Sequence, residues 1–171
     1  MKSNIVFSSE NMGWITPEKI LSRVGEIDCD PCTWEDNPTN ARVFYTIKED
    51  GLIQPWSLTG KNFINPPYGH FQIAWIKKTI AESLRGAESE LLIPAKTETK
   101  VWQDWVFPTA NAICFIRARL SFIDPATRKP RKAPAPFPSA QVYYGKDVDS
   151  FRARFSDIGT IVTTRWTTTK H

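Results

Sequence analysis

Apolar positions along this chain follow two periods in turn, and the alternation between them divides it into elements. Ile20, Leu21 and Val24 recur at helical spacing behind Thr16-Pro17-Glu18. Thr16 suits an N-cap, Pro17 the first helical position and Glu18 the first turn, with Gly25 placed to end the helix. Ile27 to Asp30 reads as a short strand that ends on an acid and a proline. Residues 42–47 form a second strand, closed by Lys48-Glu49-Asp50-Gly51, and Phe63-Ile64 lead a third into Asn65. Residues 71–85 then make an amphipathic helix with Ile73, Ile76, Ile80 and Leu84 on one face and Gly86 as its stop. Leu91-Leu92-Ile93 is a fully apolar strand core. A short helix over 99–107 carries Val101, Trp102, Trp105 and Val106 until Pro108 ends it. Residues 111–116, 119–123, 140–144 and 158–164 read as strands. Strands alternating with helices predict an α/β fold with a mostly parallel, doubly wound sheet, and the strand-rich last third predicts an antiparallel C-terminal edge.

One stretch breaks the pattern. Asp124 to Pro138 holds five prolines together with Arg128, Lys129, Arg131 and Lys132, so it should be a mobile loop without regular structure. Its cations suit contact with nucleic-acid phosphates, although a solvated linker would have the same composition. With 171 residues the chain is expected to be a single domain over 1–171, and its net charge of +4 permits a polyanionic partner without requiring one. No apolar stretch approaches the roughly 20 residues of a membrane span. The start, Met1-Lys2-Ser3-Asn4-Ile5, lacks the basic and apolar regions of a signal peptide, so a cytoplasmic location is expected. Cys29-Asp30-Pro31-Cys32 forms a C-x-x-C pair. Beyond it only Cys114, His70 and His171 remain as further ligands of that type, so no metal is expected and the thiols should stay reduced.

The sharpest chemical signal is Asn65-Pro66-Pro67-Tyr68, a tetrapeptide that average residue usage would place in such a chain with odds on the order of 10⁻³. It falls at the carboxyl end of a strand. An exocyclic amine on a flat heterocycle is a poor nucleophile because its lone pair is delocalised into the ring. Two acceptors that grip its two hydrogens draw the nitrogen toward a tetrahedral shape and free that pair. The Asn65 side-chain oxygen and the Pro66 carbonyl suit those roles, and consecutive prolines stiffen the loop while removing competing N–H donors. Tyr68 offers a face for stacking, worth about 1–3 kcal/mol per base. A rigid Asn-Pro turn would use the same residues. An acid about 20 residues past the first strand commonly holds a ribose diol. Asp50 stands 20 residues after Asp30, a spacing that Glu49 or an ordinary Asp-Gly turn also fits.

Taken together, these residues resemble the phage-type DNA N6-adenine methyltransferases, small Rossmann-like class I enzymes that use S-adenosylmethionine. The resemblance runs from about Trp14 to Tyr144. It is carried by Trp14-Ile15-Thr16-Pro17, Asp28-Cys29-Asp30-Pro31-Cys32, Asp50-Gly51-Leu52 with Trp56, Asn65-Pro66-Pro67-Tyr68 and Leu92-Ile93-Pro94-Ala95, in that order. It implies methyl transfer from S-adenosylmethionine to adenine N6 in DNA, in the cytoplasm of a bacterial host. Thr16 and Pro17 would then stand near the methionine part of the cofactor. Asp30, Pro31 and Cys32 would form the first cofactor motif, and Asn65, Pro66, Pro67 and Tyr68 the catalytic one. The Gly-x-Gly turn common in such sites is missing, so Asp30 to Glu35 must turn in another way. Pro38 also leaves little room for a full helix between the first two strands. The same loop would serve cytosine N4, an RNA base or a glutamine amide. A non-catalytic nucleic-acid-binding module would use only the basic loop and the aromatics.

Overall fold

A computed structural model describes residues 13–164. The strands are β1 (Cys29–Asp30), β2 (Val43–Phe44), β3 (Lys61–Ile64), β4 (Glu88–Pro94), β5 (Ala112–Ile116), β6 (Ser139–Tyr144) and β7 (Gly159–Thr163). The helices are α1 (Glu18–Val24), α2 (Gln72–Leu84) and α3 (Val148–Phe155), with one π-helical turn at Trp102–Val106. All seven strands join one sheet in the order β2-β1-β3-β4-β6-β5-β7. β2, β1, β3 and β4 run parallel, whereas β6 is antiparallel to both β4 and β5, and β7 is antiparallel to β5. The antiparallel edge lies in the last third of the chain, as the sequence predicts.

Period-two alternation sorts the strand side chains onto two faces. Phe63, Leu92 and Cys114 point to one face, where Ile20 and Val24 of α1 and Phe151 and Phe155 of α3 cover them. Ile64, Leu91, Ile93 and Ile113 point to the other, under Trp75, Ile76 and Ile80 of α2 and Trp102 of the π-turn. Each such side chain taken fully out of water contributes about 1.5–3 kcal/mol, which is what clamps helices to both faces. Between the layers Glu90 is fully buried, held by Arg154 at 2.6 Å, Lys61 at 3.5 Å and the Gln141 amide at 3.2 Å.

Several expectations change. The N-cap of α1 is Pro17, not Thr16, and no side chain caps the helix, because the Thr16 hydroxyl accepts a hydrogen bond from Asn65 instead. The buried stripe of α2 is Trp75, Ile76, Thr79 and Ile80, while Leu84 is 84% exposed at the helix end. Residues 119–123 form no strand. Ala118 adopts a left-handed φ of 62°, and only Ile123 pairs, bridging Ile15 and Pro130. α3 replaces part of what reads as connection between two strands. The 124–138 loop has no regular element, yet it is tied down. The Asp124 carboxylate accepts the N–H groups of Ala126 and Thr127 at 2.9 and 3.0 Å, and Ala135 N–H reaches Leu120 O at 2.8 Å. Between β1 and β2 there are only turns, in keeping with the restriction Pro38 imposes.

The chain leaves β1 outward to β2 and returns to pair β3 on the other side of β1. That reversal opens a crevice at the carboxyl ends of β1 and β3, the place where open α/β sheets bind ligands. Among the described residues no helix is long and apolar enough to cross a membrane.

Candidate active site

Two loops meet in that crevice. β1 ends on Asp30, which the Pro31-Cys32 turn buries to 3% exposure. Its carboxylate accepts the Cys32 N–H at 3.1 Å and the Thr39 hydroxyl at 2.8 Å, so side-chain caps make the turn that a Gly-x-Gly sequence would otherwise make with bare backbone. Burial raises the Asp30 carboxyl to about 6, with those hydrogen bonds opposing the shift. Burial also pushes the Cys29 thiol up to about 12 and Cys32 well above its ordinary value, so neither is a ready nucleophile. No group of three or more metal-ligating side chains gathers among the described residues.

Gly51 completes the near wall. A Cβ there would stand 1.8 Å from the Pro31 carbonyl oxygen, so only glycine lets the 50–51 turn lie against the 30–32 turn. Asp50, at a left-handed φ of 54°, accepts the Leu52 N–H at 3.2 Å and lines the cleft. Glu49 turns away and grips the Thr46 N–H and hydroxyl at 2.8 and 2.6 Å, which lowers its pKa. Of the two acids at this spacing, Asp50 is the one that faces the cleft.

The opposite wall is the Asn65 loop. The Asn65 amide nitrogen donates to the Trp14 carbonyl at 2.8 Å and to the Thr16 hydroxyl at 3.0 Å. Because a carbonyl only accepts, this pairing fixes which end of the amide carries oxygen. That oxygen accepts the Tyr68 hydroxyl at 2.8 Å and keeps a second lone pair. The Tyr68 ring is part-buried and set edge-on against Trp14, Phe122 and Phe137, with centroids 6.3, 6.1 and 5.2 Å away. Burial drives its phenol pKa far up, so Tyr68 stays neutral. Pro66 is buried, and Gly13 passes against its carbonyl oxygen.

Thr16, Asp30, Pro31, Cys32, Asp50, Asn65 and Pro67 thus line one cleft. Pro17, Pro66 and Tyr68 are not part of that lining, and Tyr68 adjoins it through its hydroxyl on Asn65 Oδ1. The loop cations lie outside it. Arg128 pairs with Asp36 at 3.0 Å and sits 5.8 Å over the Trp34 ring, and Arg131 sits 4.5 Å over Trp14. Lys129 and Lys132 are exposed. Sequence reasoning did not single out Trp34, Thr39, Ile47 or Trp75 as wall residues. Only Trp34, inside the Asp30 to Glu35 turn, carried a readable signal, since the others look like ordinary loop or core residues. No curated protein and no solved structure matches the chain. The model of one protein family does match it, over residues 2–147 of 171, and the chain therefore belongs to the DNA N-6-adenine-methyltransferase (Dam) family.

Proposed function

We propose that the protein transfers a methyl group from S-adenosylmethionine to the N6 amine of adenine in DNA, with the base turned out of the duplex. The observation that carries this reading is the Asn65 amide, locked at its nitrogen and held at its oxygen by Tyr68 with one lone pair left to accept, in the same cleft as Asp30 and Asp50. The donor set suits the cofactor: carboxylates for hydroxyl or ammonium groups, and Trp34, Pro38 and Ile47 as apolar walls for a purine. Asp50 would take the ribose diol, and Thr16, Asp30 and Cys32 would line the amino-acid end. When bound, the cofactor supplies an electrophilic methyl group on a sulfonium. Helices on both faces and the crevice between β1 and β3 support the finer description of the fold as a Rossmann-like, doubly wound class I sheet.

Asn65 Oδ1 accepts one hydrogen of the adenine amine and the Pro66 carbonyl accepts the other, which localises the lone pair on N6. Tyr68 holds Asn65 Oδ1 in register, and its part-exposed ring would meet the flipped base beside the cofactor cleft. Stacking there offsets much of the few kcal/mol that flipping costs. No base is needed before attack, since the methylated nitrogen becomes acidic and sheds its proton afterwards. Positioning of amine and methyl group supplies most of the acceleration. Asn65→Ala tests the assignment. Transfer to DNA should fall at least 100-fold, the scale of losing one placed polar group, while cofactor affinity by calorimetry stays within about twofold. Unchanged transfer would remove Asn65 from the mechanism. A wild-type chain with no cofactor affinity would instead be a binding module.

A further inference from the structure

Cations stand at both ends of the sheet, and those of the carboxyl edge share that edge with the cleft. Arg42, Lys61, Lys78 and Arg85, near the amino ends of the parallel strands, are all ion-paired. At the carboxyl ends, Lys96, Lys100, Arg117, Arg119, Lys129 and Lys132 are exposed, and none pairs with a described acid. Topology sets them in a row. The residues after Asn65 leave β3, Lys96 and Lys100 follow β4, the 124–138 loop feeds β6, and Arg117 and Arg119 follow β5. These are neighbouring strands, about 4.8 Å apart, so the row runs about 14 Å from the Asn65 loop. Glu98 is the acid set among the first pair. At the far end of the sheet, Glu88, Asp147 and Asp149 begin β4 and α3, beside the exposed cations Lys146 and Arg152.

We propose that duplex DNA lies along this carboxyl edge, and that Lys96, Lys100, Arg117 and Arg119 carry its phosphates together with Lys129 and Lys132. The inference rests on the methyl-transfer reading, which places the target base in the adjoining cleft. A duplex carries one negative charge per roughly 1.7 Å of axis over both strands, so 14 Å holds about eight phosphates, of which the edge faces those on its own side. Exposed cations without protein partners lose no ion pair on contact, unlike Arg128 and Arg131 of the loop.

The test is a salt series of DNA binding by the full-length protein. The variant K96Q/K100Q/R117Q/R119Q should lower the slope of log affinity against log salt by about 3 to 4, at roughly 0.9 per lost contact. Its affinity for S-adenosylhomocysteine should be unchanged. Removing charge at the opposite end, in K146Q/R152Q, should leave the slope as it is. An unchanged slope in the fourfold variant, or an equal drop per charge in the control, overturns the proposed edge while leaving the methyl-transfer reading intact. Tighter binding of duplex RNA than of duplex DNA overturns the partner. Failure of the methyl-transfer reading has a separate signature, which is absence of cofactor binding in the wild-type chain.

Discussion

Asn65 illustrates how little freedom one side chain keeps when both ends of its amide are used. Two donors are spent on Trp14 and Thr16, and one acceptor site on Tyr68. Thr16→Val removes one anchor and keeps the volume. The single-turnover transfer rate should drop about threefold to tenfold, the weight of one hydrogen bond, and Thr16→Ser should restore it. Asp30 gives a pH prediction whose sign follows from its raised value. Because its folded pKa, about 6, lies above the ordinary 3.8, the protonated form favours the fold, and that contribution is lost as pH rises through 6. Ligand binding runs the other way. An ionised carboxylate is what attracts the cofactor's ammonium or hydroxyl groups, so affinity should weaken as pH falls below about 6. Asp30→Asn should flatten that profile in calorimetry between pH 5 and pH 8, and a wild-type profile already flat would contradict the role.

At the scale of elements, the sequence carried periods better than boundaries. The α2 helix and the β3–loop–α2 order were legible because Ile76 and Ile80 recur at helical spacing and Pro66-Pro67 breaks the strand. Residues 119–123 show true alternation, with Leu120 and Phe122 buried, yet their backbone partners are Ala135 and Arg131 in an irregular loop, so no ladder forms. α3 escaped notice because only Phe151 and Phe155 mark its buried face, although Asp147 capping the Ser150 N–H at 2.9 Å was a readable start. Two element contacts invite measurement. Gly51→Ala forces the 50–51 turn off Pro31 and should cost about 1–3 kcal/mol in urea unfolding, with loss of cofactor binding. Arg154→Leu leaves the fully buried Glu90 carboxylate without its closest partner and should cost about 3–5 kcal/mol. A loss below about 1 kcal/mol would mean that Lys61 and Gln141 suffice to hold Glu90.

At the scale of the whole molecule, the candidate site was legible as a set of separated residues but not as a shape. Thr16, Asp30, Asp50 and Asn65 are spread over 50 residues, and only the crossover from β1 through β2 to β3 brings them to one cleft. The ordering of the 124–138 loop was invisible, since its proline and charge content reads as disorder until Ala135 and Phe137 find the aromatic cluster around Trp14. The central claim is that this cleft methylates adenine in DNA, and one measurement tests it most directly. DNA, RNA and the protein itself are incubated with methyl-labelled S-adenosylmethionine, digested and resolved by mass spectrometry. The account predicts label in N6-methyladenine from duplex DNA, and none above background with Asn65→Ala. Label in N4-methylcytosine, in RNA or in a glutamine amide, with none in DNA adenine, would contradict it.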